Sequence, residues 1–309
     1  MRIVFAGTPE VALPSLEALL ASEHEVVAVL TRPDAPSGRG KRLTPSPVAA
    51  RAAELGIEAL KPAKPRDPEF VARFQEVAPD CCPVVAYGAL LPQSLLDLVP
   101  YGFVNLHFSL LPAWRGAAPV QHAVLAGDKV TGATTFRIVA ALDAGPTFLQ
   151  LTEPISPTDT SGELLTRLSI SGADLLVRTL DGIADGSLTA TPQPAEGITI
   201  APKLTVEDAR IDWTRSAVEI DRVVRGCSPA PGAWTTFRGE RFKINSGKPM
   251  DNCEGVPGEL TITKRSVTVA AGDGTGLLLG QVQAQGKKPM SAADWARGVT
   301  FAPSDLLGG

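Results

Sequence analysis

The feature that most constrains this chain is an alternation of short apolar runs with stretches of helical period. Arg2 to Ala6 is brief and apolar and reads as a buried strand. Val11 to Leu20 then repeats its apolar residues at helical spacing, with Pro9 near the helix start. Val26 to Leu30 is a second buried strand. Ser46 to Leu55, stopped by Gly56, and Asp67 to Val77, with Pro68 in its first turn, read as helices. Val84 to Ala86 and Phe103 to His107 read as further strands. Strands alternating with helices predict an α/β, doubly wound, mostly parallel sheet covered on both faces, here over residues 1–190. Ligands of such sheets bind at the carboxyl ends of the strands. Tyr87, Gly88, Asn105, His107 and Asp143 all fall near those ends.

The pattern then changes. From Gly186 to Val206 the chain is rich in turn formers, including Pro192, Pro194 and Gly197, and residues 191–206 read as a linker. Beyond it, Trp234 to Phe237, Arg241 to Ile244, Glu259 to Thr263, Ser266 to Ala270 and Gly276 to Gln283 read as short strands. Turns at Arg238-Gly239, Asn245 to Gly247, Pro257-Gly258 and Gly272 to Gly274 separate them. Residues 207–309 are therefore expected to form a small β-barrel. A chain of 309 residues has room for both domains.

Composition narrows the function classes. The four cysteines, Cys81, Cys82, Cys227 and Cys253, form no CxxC pair, and with only three histidines the chain offers no zinc pattern, so no metal is expected. The cysteines are expected to be reduced, with Cys81 and Cys82 in the core. Apolar runs are too short for a signal peptide or a membrane span, which predicts a cytoplasmic protein without a membrane partner. The net charge of −4 does not announce a nucleic-acid binder. Residues 206–309 are less acidic than the rest, with 13 basic and 12 acidic side chains, and this permits one. Gly7 is the only glycine in the turn Gly7-Thr8-Pro9-Glu10. There is no GxGxxG and no Walker A sequence, which argues against a dinucleotide or ATP-driven enzyme.

Four constellations can carry chemistry. Asn105 and His107 are two apart on one strand and so point to the same side. An amide donor beside an imidazole suits a developing oxyanion; the same pair also fits a polar strand end bonded to local backbone. Asp143, in Ala141-Leu142-Asp143-Ala144-Gly145, can raise the basicity of an imidazole or serve as a turn aspartate. Ser109, Leu110, Leu111 and Pro112, followed by Trp114, Arg115 and Gly116, form a loop placed to line a pocket or an ordinary surface turn. Residues 31–46 are long for a connector. Their Arg32, Arg39, Lys41 and Arg42 can grip phosphates or form a solvated face.

Together these segments resemble the folate-dependent formyltransferases. The carriers are Asn105 to Gly116 (NLHFSLLPAWRG), Thr131 to Ile138 with Leu142 to Gly145 after it, and Val85 to Gly88 with Leu91 and Pro92. Phe5 to Pro9, Gly38 to Arg42, Arg115 to Pro119, Ala201 to Lys203, Ile211 to Trp213, Pro229 to Trp234 and Gly286 to Met290 extend the likeness over nearly the whole chain. They match best those members that formylate methionine charged on initiator tRNA. The resemblance implies a Rossmann-like catalytic domain followed by an OB-like barrel that contacts tRNA. It implies Asn105, His107 and Asp143 as catalytic residues, and Ser109, Leu110, Leu111, Pro112, Tyr87 and Gly88 at the folate. Arg39, Lys41 and Arg42 would reach the tRNA acceptor end. Val139, Ala140 and Ala141 stand where an acidic residue is often found, and Cys81, Cys82 and Pro83 replace a more usual aliphatic strand start.

The expected reaction is attack of a neutral α-amine on the formyl carbon of 10-formyltetrahydrofolate by a monomeric enzyme. Asn105 and His107 would donate to the tetrahedral oxyanion, and Asp143 would orient His107 and assist proton movement. The competing readings are a formyltransferase for a small amine, a hydrolase using water, and a non-catalytic folate- or tRNA-binding module.

Overall fold

The computed structural model describes residues 1–309 apart from Gly38, Arg39 and Lys41 and the side chain of Ser37. Its first unit is built on strands β1 (Arg2–Gly7), β2 (Glu25–Leu30), β3 (Ala35–Ser37), β4 (Arg42–Thr44), β5 (Glu58–Leu60), β6 (Cys82–Val85), β7 (Phe103–His107), β8 (Val130–Arg137) and β9 (Thr147–Pro154). The helices over the same stretch of chain are α1 (Leu13–Leu20), α2 (Pro47–Glu54), α3 (Pro68–Val77), α4 (Gln93–Leu96), α5 (Pro119–Ala126) and α6 (Ser161–Ala184), of which α5 past Pro119 and the first turn of α6 belong to the second unit. Seven strands form one sheet in the order β5-β2-β1-β6-β7-β8-β9. The first five run parallel, while β8 and β9 return antiparallel. The sheet is thus parallel-dominated, as the alternating pattern predicts.

Local chemistry sets the element ends. Ser46 caps α2 by accepting the Ala49 N–H at 3.1 Å, and Pro47 and Pro68 occupy first turns, where a missing N–H costs nothing. The α3 face carrying Phe70, Phe74 and Val77 packs with Phe103 of β7, the Phe74 and Phe103 rings stacked 6.1 Å apart. Cys81 and Cys82 are buried and free, as expected, and burial pushes the Cys81 thiol up to about 12. Pro83 sits inside a central strand, a rare place for proline. The Cys82 N–H beside it bonds Gly102 on the β7 side at 3.0 Å. The missing N–H of Pro83 falls on the β1 side, where pairing lapses between Ile3↔Cys81 and Ala6↔Val84.

Residues 31–46 are less open than the sequence suggests, since β3 and β4 pair there as a hairpin. Arg42 is exposed on it. Arg39 and Lys41, the other two expected tRNA contacts, lie outside the described residues.

The chain divides into two compact units at boundaries the sequence did not show. One holds Met1–Pro119, Val130–Pro154 and Leu165–Ala201; the other holds Val120–Lys129, Ile155–Leu164 and Pro202–Gly309. The 120–129 and 155–164 segments join the second unit through long-range bonds invisible to periodicity, such as Gly162 N–H to the Ser228 carbonyl at 3.0 Å. Most of the expected linker falls in the first unit. Residues 191–201 are stitched into the first unit, with Thr191 and Thr147 exchanging two 2.8 Å backbone bonds and the Ala201 N–H bonding the Arg115 carbonyl at 2.7 Å.

The second unit contains α7 (Ala217–Gly226), strands β10 (Trp234–Phe237), β11 (Glu240–Ile244), β12 (Gly247–Met250), β13 (Leu260–Ile262), β14 (Val267–Ala270), β15 (Gly276–Leu279), β16 (Gln281–Ala284) and β17 (Met290–Ser291), and α8 (Ala292–Arg297). It is the small antiparallel β domain expected, formed as two four-stranded sheets, β10-β11-β16-β17 and β12-β15-β14-β13. Both sheets share one core, with Phe242, Ile244 and Val282 from the first and Val267, Val269 and Leu277 from the second. The single strand expected from Gly276 to Gln283 is broken at Gly280, where the chain passes from one sheet to the other. A Cβ there would lie 2.4 Å from the Ser246 hydroxyl. Among the described residues no helix is long and apolar enough to cross a membrane.

Candidate active site

The end of β7 supplies two of the expected site residues. Leu106 faces α6, where Gly172 leaves it room: a Cβ on Gly172 would sit 3.0 Å from its Cδ2. Alternation therefore puts Asn105 and His107 on the opposite face. Asn105 is half-buried and His107 is 6% exposed. Asn105 pairs in register with Val84 and Phe136, and His107 with Thr134, so both stand where the sheet changes from parallel to antiparallel.

Asp143 arrives from the loop between β8 and β9. Its backbone is left-handed, with φ 46°, and its carboxylate accepts the Gly116 N–H at 2.7 Å while lying 3.7 Å from His107 Nδ1. Remote stretches of chain thus converge, as the sequence reading required. The loop geometry depends on glycine at two points. A Cβ at Gly145 would lie 1.7 Å from the Arg137 carbonyl, and one at Gly116, φ 130°, would lie 2.5 Å from the Ala201 carbonyl.

The state of His107 follows from its partners. Its Nε2 lies 2.9 Å from the Trp114 carbonyl, an acceptor only, so Nε2 carries the proton. In the neutral ring Nδ1 then presents a lone pair toward Asp143. Burial holds the His107 pKa below its ordinary value, an effect partly offset by the Asp143 charge and by the bond to Trp114. The ring is therefore a neutral base at neutral pH, with a carboxylate beside the atom that would take the proton. This refines the sequence expectation that His107 donates to an oxyanion, because its one N–H is already engaged. Among the described residues no hydrogen bond holds the Asn105 amide, which leaves it as an available donor.

The segment 109–112 is held from below by polar groups that the sequence reading missed. The buried Thr134 hydroxyl donates to the Ser109 carbonyl at 2.7 Å and accepts the Leu111 N–H at 3.1 Å. Gln150 donates to the Leu111 carbonyl at 2.9 Å. Ser109 is fully buried and donates to the Ala113 carbonyl at 2.6 Å. Leu111 is buried, and Leu110 and Pro112 are half-buried. The Tyr87 side chain is buried in the sheet core, and its backbone carbonyl accepts from Thr8 at 2.7 Å. Gly88 follows with φ 85°. His24 and His122, expected to be structural, contact Asp181 at 3.1 Å and the Pro202 carbonyl at 2.9 Å.

This arrangement suits acyl transfer: a neutral base poised beside a carboxylate, a free amide donor, and a loop at the carboxyl end of a central strand. Two family models match the chain, formyl transferase over residues 1–180 and formyl transferase, C-terminal domain, over residues 203–300. The chain belongs to the formyl transferase family. Full-length similarity within it is high. The methionyl-tRNA formyltransferase of Streptomyces coelicolor is 64% identical, with all of both chains covered. That of Thermobifida fusca is 62% identical, covering all of this chain and 99% of its own. Among solved structures, a sugar 3N-formyl transferase crystallised with dTDP and 5-N-formyl-THF shares the fold of this formyl transferase. Its TM-score is 0.69 at 16% identity, with 93% of this chain and 99% of that chain covered. Among the described residues no group of three or more His, Cys, Asp or Glu side chains is placed to hold a metal ion.

Proposed function

We propose that this formyl transferase moves the formyl group of 10-formyltetrahydrofolate to the α-amine of methionine charged on initiator tRNA. The observation that carries this reading is end-to-end identity of 62–65% with relatives named for that reaction. The folate donor is further supported by the 5-N-formyl-THF present with the sugar enzyme in its crystal. We place the enzyme in the cytoplasm as a monomer.

The geometry supplies a route. The neutral amine attacks the formyl carbon, and the carbonyl π electrons move to oxygen. Asn105 donates to that oxyanion; losing such a donor typically costs about 10²–10³ in rate. His107 Nδ1 takes a proton from the new ammonium, and Asp143 stabilises the imidazolium. The intermediate collapses, the bond to folate nitrogen breaks, and that nitrogen receives the proton. Ser109, Leu110, Leu111 and Pro112 line the donor site, with the backbone at Tyr87 and Gly88. Arg39, Lys41 and Arg42 meet the acceptor end of the tRNA. In the second unit, the guanidinium groups of Arg210 and Arg241 lie over the Trp234 ring at 5.5 and 4.2 Å, a surface suited to nucleic acid.

The test is a formyl-transfer assay with charged initiator tRNA, elongator tRNA and small amines. Transfer to initiator tRNA above all others is expected. Equal or better use of a small amine, or release of formate without any amine, overturns the reading.

A further inference from the structure

Residues 191–200 read as connector in the sequence, and every residue in that run is exposed except one. Gln193, flanked by Pro192 and Pro194, is half-buried. Its amide nitrogen donates to the carbonyls of Asp143 and Gly145, both at 2.8 Å. Its amide oxygen accepts two bonds from the Arg115 guanidinium, at 2.6 Å from Nη2 and 3.1 Å from Nε. The partners dictate which way the amide points, since two carbonyls require the NH₂ and a guanidinium requires the oxygen. One side chain thus joins the loop carrying Asp143 to the loop whose Trp114 carbonyl holds His107 and whose Gly116 N–H holds Asp143.

We propose that Gln193 is the positioning residue of this active site, setting Asp143 against His107 by clamping the two loops together. The inference rests on the catalytic roles given above to His107 and Asp143.

Asp143 occupies left-handed backbone, uncommon for non-glycine residues though aspartate is among those that adopt it most readily. Its carboxylate is tied to Gly116 and its carbonyl to Gln193, so both ends of the residue are fixed. The anchor is firm on its own side. Thr191 pairs with Thr147, the Thr199 hydroxyl accepts the Trp114 N–H at 2.8 Å, and the Thr199 carbonyl accepts the Arg115 N–H at 2.9 Å. Gln193 is therefore presented to the 139–145 loop from a segment that is itself tied down. No other residue type makes the same set of bonds. Glutamate keeps the Arg115 contact but turns an acceptor toward two carbonyls. Methionine keeps the length and loses both contacts.

The experiment compares Gln193→Met, Gln193→Glu, His107→Asn and Asp143→Asn with wild type. Only three histidines are present, so ¹⁵N-histidine spectra resolve His107 by its loss in His107→Asn. Both Gln193 variants are expected to lose about 10- to 100-fold in kcat, the scale of a misplaced catalytic group. The KM for the folate donor should stay within about twofold. In Gln193→Met the titration midpoint of His107 should fall, because the Asp143 charge no longer sits beside it. A merely structural residue would leave that midpoint where it is. Gln193→Glu preserves the Arg115 pairing, so it reports the two donors alone if the methionine variant does not fold. Wild-type kcat in Gln193→Glu, or an unmoved His107 midpoint in Gln193→Met, overturns the proposal. If His107→Asn and Asp143→Asn retain turnover, the catalytic assignment falls first. If they lose it while the Gln193 variants do not, only the positioning role falls.

Discussion

At the scale of single residues, His107 shows how an environment turns one side chain toward a task. Its pKa is lowered mainly by burial, so the folded protein binds fewer protons than the unfolded chain between that lowered value and about 6.5. Stability must therefore rise with pH across this window and be lost as pH falls through it. His24, also lowered by burial, acts in the same direction. Urea unfolding at about pH 7.5 and about pH 5.5 should show a smaller loss for His107→Asn than for wild type. An equal loss would mean that the ring is not buried neutral. The same neutrality predicts that kcat holds level across neutral pH and falls on the acid side. An acid limb unchanged by Asp143→Asn would count against coupling of that carboxylate to the ring.

At the scale of elements, the site is a set of loops pinned at glycines and by polar anchors. Gly145 packs its Cα against the backbone of Arg137, so Gly145→Ala must displace the β8–β9 connection rather than a flexible side-chain tip. We expect roughly 2–4 kcal/mol of destabilisation and a kcat loss larger than the KM change. Urea midpoints and steady-state kinetics would measure it. An alanine variant of wild-type stability would show that the connection is free to move. The antiparallel return of β8 and β9 has a further consequence. It brings Thr134 and Gln150 under the 109–112 segment, which a purely parallel continuation would not do.

At the scale of the whole molecule, each of the two units has its own hydrophobic core, so one unfolding free energy need not describe the chain. Charge is also unevenly shared, with a net −4 overall and a nearly neutral C-terminal third. A protein this acidic should meet tRNA through local basic contacts. If Arg39, Lys41 and Arg42 each engage a phosphate, the KM for tRNA should rise roughly 20- to 40-fold between about 50 and 200 mM salt. The folate KM should barely change. Neutralising Arg39 and Arg42 should flatten the logarithmic salt dependence by roughly 1.4–1.8. A slope unaltered by these changes would remove the basic loop from the tRNA interface.

Much of this protein is legible along the chain because the information is local. Strand Phe103–His107, the helices begun by Ser46 and Asp67, and the pairing of Asn105 with His107 on one face all follow from periods and caps set by near neighbours. The halves of the site at 105–116 and 141–145 are readable as motifs. Their closeness is not, because no period links positions 107 and 143. Tertiary structure alone decided the Nε2 proton on His107, the burial of the Tyr87 side chain, the crossing of the chain between sheets at Gly280, and the capture of 120–129 and 155–164 by the second unit. It also turned an apparent connector into the anchor that holds Gln193. Hydrogen bonds and burial act through space, and residues distant in sequence reveal them only once the backbone has brought them together.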